Sequence, residues 1–99
     1  MYINKEIDGK KVTITPVGRL DTTTSPELEA ELKGIYDDAE LLVFNLEQLD
    51  YISSAGLRVL LAAQKTMNAK NGTMRVTNVN EIVAEVFNVT GFVDVFTIE

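Results

Sequence analysis

Ser53 and Ser54 stand side by side in the run Leu49-Asp50-Tyr51-Ile52-Ser53-Ser54-Ala55-Gly56-Leu57-Arg58-Val59-Leu60-Leu61. A strand-like apolar run, Leu41 to Leu46, leads towards them, and an apolar helical pattern leaves them. Their hydroxyls therefore fall at a helix N-terminus, where backbone N–H groups lack partners and the dipole favours negative charge. A hydroxyl there can cap the helix, a contribution of roughly 1 kcal/mol, or it can receive a phosphate. One cap requires one serine, and this chain has two. Ala55 and Gly56 are small enough to let another molecule approach the backbone. Gly56 in the first turn also costs about 1 kcal/mol against alanine, which something must offset. Cap and switch both fit the local sequence.

Other chemistry is largely excluded by residue type. The chain has no histidine and no cysteine. That removes the commonest general base, every Ser-His or Cys-His arrangement, disulfides and thiolate chemistry. The Ser-Ala-Gly run is not the G-x-S-x-G elbow of serine hydrolases, so an enzyme working through Ser54 or Asp21 is disfavoured and no catalytic residue is assigned. No glycine-rich phosphate loop is present, no carboxylates have metal-ligand spacing, and no cofactor is expected. Asp21 follows Gly18-Arg19-Leu20 at a strand end. Residues at the carboxyl ends of parallel strands converge on one edge, so Asp21 and Ser54 are expected to be neighbours. Asp21 and Asp50 also read as ordinary turn-forming aspartates.

The elements that must position these residues fit one domain over residues 1–99. With 45% apolar and 24% charged residues, the chain has an ordinary globular composition. Its net charge of −6, with the basic residues scattered, opposes binding to a phosphate backbone. No apolar run approaches the roughly 18 residues of a membrane span, and the first residues do not resemble a signal peptide. A cytoplasmic protein with no membrane insertion and no nucleic-acid partner is expected.

Along the chain, Ile3, Lys5 and Ile7 alternate up to Asp8-Gly9, and Lys11 to Gly18 resumes the alternation, which suggests a hairpin. Gly18 marks a bend or the end of that second strand. Ser25 is placed as cap of the next helix, with Pro26 at its first position and Leu28, Leu32, Ile35 and Tyr36 as its apolar stripe. Leu41–Leu46 reads as a central strand, buried on both faces or on one. A helix follows Ser54 and stops at Asn71-Gly72; Met74 and Val76 lie on a fourth strand. Asn78 to Glu81 has capping-box spacing before the stripe Ile82, Val83, Val86 and Phe87. Gly91 closes that helix, and Phe92 to Ile98 is expected to be a last strand. The fold class is α/β, in the order β-β-α-β-α-β-α-β.

Three segments together resemble the STAS family, and within it the bacterial anti-sigma factor antagonists. They are Gly18-Arg19-Leu20-Asp21, Tyr51 to Leu57, and Val89-Thr90-Gly91-Phe92-Val93-Asp94-Val95-Phe96. The resemblance implies a mixed sheet with helices packed on one side. It implies binding to an anti-sigma factor that is also a serine kinase, which frees a sigma factor until the kinase phosphorylates the antagonist. A serine phosphatase then resets the system. Aligned on Gly56-Leu57, the phosphoacceptor falls at Ser54, with Asp21, Thr22, Ser53, Ala55, Gly56 and Leu57 in the switch vicinity. Ser53 stands where the family motif has aspartate, and Ala55 where it has a second hydroxyl residue. An unphosphorylated scaffold subunit of a transporter or signalling complex is the alternative that these departures leave open.

Overall fold

The computed structural model describes residues 1–99. β1 (Tyr2–Asp8) and β2 (Lys11–Leu20) form the expected antiparallel hairpin, closing at Asp8 opposite Lys11. Gly9 takes φ +61 in the turn, a conformation that favours glycine. β3 (Leu41–Asn45) lies parallel to β2 over Lys11–Ile14, and β5 (Thr73–Thr77) lies parallel to β3 on its other side. The sheet order is β1-β2-β3-β5, so β3 is central. Leu42 and Phe44 are sealed beneath the helices, and Val43, on the other face, is also buried between its neighbours Thr13 and Arg75.

The helices α1 (Ser25–Lys33), α2 (Ser54–Ala69) and α3 (Glu81–Thr90) contribute Leu28 and Leu32, Leu57, Leu60, Ala63 and Met67, and Val83 and Phe87 to one core. That core includes Val12 and Ile14 of β2 and Met74 and Val76 of β5. Thr13, Thr15, Asn45, Arg75 and Thr77 alternate with these residues and lie on the polar outer face. The fold is thus a mixed sheet with its apolar face covered by helices.

Several expectations need correction. A short strand, β4 (Leu49–Ile52), precedes α2 and was not anticipated. It runs parallel to the far half of β2, beyond a register shift at Gly18, whose φ is +104. Gly18 therefore bends β2 rather than ending it: the near half pairs with β3 and the far half with β4. Four residues leave too little room for a readable alternation.

The cap positions also shift. α1 begins at Ser25 itself, because a tight turn from Asp21 to Thr24 winds into the helix. In α3, Asn80 rather than Asn78 caps, accepting the Val83 N–H at 3.0 Å, while Asn78 turns the chain at φ +54. Gly91 closes α3 at φ +80, as expected.

The last strand does not form. Phe92–Asp94 is a single 3-10 turn, and only Ile98 bridges to Val76. The aromatic side chains explain this. Phe96 lies 5.5 Å from Phe87 and 5.7 Å from Phe92 between ring centroids. In a strand, Phe92 and Phe96 would stand about 13 Å apart; a helical turn brings both rings to α3 and buries Phe96. Phe96→Ala should therefore cost about 3 kcal/mol in urea unfolding, although its segment is irregular; a cost below about 1 kcal/mol would mean that the tail is not part of the core.

Candidate functional site

The two serines have separate positions and partners. Ser53 has extended backbone (φ −97, ψ 177) and is the N-cap of α2, its Oγ accepting the Gly56 N–H at 3.4 Å. Serine is among the residues that cap a helix best, so the cap of α2 is filled at Ser53. Ser54 is the first residue of the helix, is exposed, and its hydroxyl makes no hydrogen bond to the rest of the protein. The cap is thus supplied without Ser54.

β2 and β4 deliver both parts of the site to one edge. Leu20 is in register with Ile52, and the Ser53 N–H donates to the Leu20 carbonyl at 2.9 Å. Asp21 and Ser53 therefore leave adjacent parallel strands side by side, which brings Asp21 beside the start of α2 as expected. Asp21 is also a turn former. Its Oδ1 accepts the N–H groups of Thr23 at 3.0 Å and Thr24 at 3.1 Å, and the Thr24 hydroxyl at 3.2 Å. Arg19 approaches its Oδ2 at 3.8 Å. The Thr24 N–H chiefly holds the Asp21 carboxyl below its usual pKa, against partial desolvation, with further help from Thr23 and Arg19.

Gly56 and Leu57 are buried, so their part in this region is packing. A β-carbon on Gly56 would lie 2.7 Å from Leu20 Cγ and 2.9 Å from Ile52 Cγ1. The glycine is what lets the first turn of α2 sit on the ends of β2 and β4, and this close contact offsets its helix cost. Approach by a partner is instead open at Ser54, Thr22 and the half-buried Ala55. Beside them a groove of about 360 Å³ runs between α1 and α2, with Thr22, Ser25 and Glu29 on one wall and Ala55, Arg58 and Val59 on the other. Asp50 is exposed at the same end of the sheet.

Three contributors escaped the sequence reading. Thr24, the third of three consecutive threonines, is the main partner of Asp21. Arg19 lies 4.3 Å from the centre of the Tyr51 ring and so links β2 to β4 as a cation over an aromatic face. Arg58 lines the groove; its spacing of four residues from Ser54 was the available signal.

The chain belongs to the STAS domain family, which it matches over residues 2–99. Its relatives within that family include anti-sigma factor antagonists. It is 36% identical to a candidate antagonist, BtrV of Bordetella bronchiseptica, across 94% of this chain and 80% of that protein. It is 31% identical to the anti-sigma-B factor antagonist of Staphylococcus aureus, across 78% and 72% respectively. Its fold matches the Bacillus antagonist SpoIIAA in both unphosphorylated and phosphorylated forms. The TM-scores are 0.85 and 0.78, at 20% and 19% identity, with 99% of this chain and 88% and 91% of those chains covered.

Chemical denaturation can separate the roles of these neighbours. Ser53→Ala should cost up to about 1 kcal/mol, whereas Ser54→Ala should stay within about 0.5 kcal/mol of the parent. Gly56→Ala should lose about 2 kcal/mol although alanine is the better helix former. A stabilised Gly56→Ala protein would refute the close-contact account. Asp21 has its own pH signature. Its folded pKa is lowered, so its contribution is fully present above the unfolded value of about 3.9 and is lost as pH falls through the folded value. The stability gap between parent and Asp21→Asn should therefore be flat above about pH 5 and close towards pH 2; a gap that widens on acidification would contradict it.

Proposed function

We propose that this protein is a partner-switching antagonist controlled at Ser54. In its unmodified form it binds an anti-sigma factor that is also a serine kinase, and the sigma factor is released. The observation that carries this reading is the exposed, unbonded Ser54 hydroxyl beside a Ser53 that already caps the helix. The groove between α1 and α2 extends the contact face from Ser54 towards Thr22 and Ala55. Names among the relatives support the same role, and SpoIIAA is known in a phosphorylated form.

Phosphorylation would proceed by attack of Ser54 Oγ on the γ-phosphorus of ATP. The Oγ–P bond forms, the bond from the γ-phosphorus to the β–γ bridging oxygen breaks, and ADP leaves. The hydroxyl proton passes to a base in the kinase. The product carries about −1.5 to −2 additional charges. The N-terminal end of α2 tolerates them, so the domain stays folded. A partner surface shaped around a neutral hydroxyl meets a desolvated charge near Asp21 and Asp50, at a cost of several kcal/mol. At about 1.4 kcal/mol per tenfold in affinity, that is enough to end the complex. A serine phosphatase restores the hydroxyl. The chain itself needs no catalytic group or cofactor for this cycle, which belongs in the cytoplasm.

Incubation with the cognate kinase and ATP should add one phosphoryl group, located on Ser54 by peptide mass spectrometry. Ser54→Ala should remain unmodified and stay bound to the kinase in the presence of ATP, while the parent dissociates. Absence of phosphate on Ser54, with the parent and Ser54→Ala dissociating alike, would reject the proposal.

A further inference from the structure

Arg58 follows Ser54 by four residues, so the two share one face of α2. Side chains on a helix lean towards its N-terminus, which carries the Arg58 stem back over the turn that Ser54 opens. Both residues are exposed. The ion pairs of the protein engage the N-terminus, Lys5, Arg19, Lys33 and Arg75, and none engages Arg58. The acid across the groove, Glu29, is paired with Lys33 at 3.8 Å. The first turn of α2 contains no acidic residue. Arg58 is therefore a free cation near the end of a helix whose dipole disfavours one.

Taking Ser54 as the modified residue, we propose that Arg58 is the internal partner of the Ser54 phosphate and binds its oxygens across one helical turn. The order is the favourable one, with the acidic group N-terminal and the basic group four residues on. A guanidinium presents its donors in a fork that matches two phosphate oxygens, which a single ammonium does not. The consequence is a double change at the docking face. Without phosphate, the groove wall offers a partner a neutral hydroxyl and an unpaired cation. With phosphate, it gains negative charge and the cation is withdrawn into an internal pair. One modification thus removes an attraction as well as adding a repulsion.

The test uses full-length protein with phosphoserine installed at position 54 during translation. No kinase is needed, so the result is independent of which enzyme, if any, modifies Ser54. Phosphorus-31 NMR titration should give a second phosphate pKa lower in this protein than in its Arg58→Gln variant by about half a unit at about 0.1 M salt. Arg58→Lys should fall between them, and Lys65→Gln, removing an exposed cation further along α2, should match the parent. The Arg58 Nε–H resonance should also shift between the unmodified and phosphoserine proteins, a readout that requires no substitution at Arg58. Equal pKa values in parent and Arg58→Gln, an equal rise in Lys65→Gln, or an unmoved Arg58 resonance would overturn the proposal. Failure of the kinase reaction with these shifts intact would remove Ser54 phosphorylation as the natural switch but leave the Arg58 contact standing.

Discussion

At Gly56 the first turn of α2 rests directly against Leu20 and Ile52, with no space for a β-carbon. Leu20 ends β2 and Ile52 ends β4, so this contact presses one helix onto two strand ends at once. The rest of the site follows from it. The Ser53 N–H reaches the Leu20 carbonyl, Ser53 Oγ reaches back to Gly56, and Ser54 is left at the rim with its hydroxyl outward. A larger residue at position 56 would lift the helix, and the serines with it, away from Asp21. The glycine therefore serves the position of the site while being itself inaccessible.

The surroundings of Ser54 are polar but electrically restrained. Asp21 is tied by backbone N–H groups, by Thr24 and by Arg19. Arg19 in turn lies over Tyr51, so strand pairing, cation and carboxylate form one connected unit across β2 and β4. Such a unit holds its shape when charge arrives nearby, because each group already has a partner. Ser54 lacks one, and it is the group whose chemistry can change without disturbing the packing beneath it.

Much of the architecture was legible because it depends on local pattern. The Asp8-Gly9 hairpin, the α2 stop at Asn71-Gly72 and the α3 stop at Gly91 appear where expected, and of the α1 stripe Leu28 and Leu32 lie on the helix while Ile35 and Tyr36 fall in the turn beyond its end at Lys33. What escaped was set by distant partners. β4 is a strand only because the far half of β2 lies beside it, and that half exists only because Gly18 bends without ending the strand. The C-terminal segment alternates like a strand, but Phe87 on α3 draws Phe92 and Phe96 into a turn. The cap shifts at Ser25 and Asn80 have the same origin: turns at Asp21 and Asn78 enter each helix from directions that local sequence does not specify.

By itself the sequence determined the family, the alternation of strands and helices, and the placement of two serines at a helix start. Motif and periodicity are local properties, and they survive without coordinates. Only the tertiary structure decided which serine caps and which is free, that Gly56 packs inward, and that Arg58 lines a groove with Thr22 and Glu29. Those outcomes depend on how closely α2 approaches β2 and β4, a distance controlled where Gly56 meets Ile52 and also Leu20, which lies more than thirty positions away.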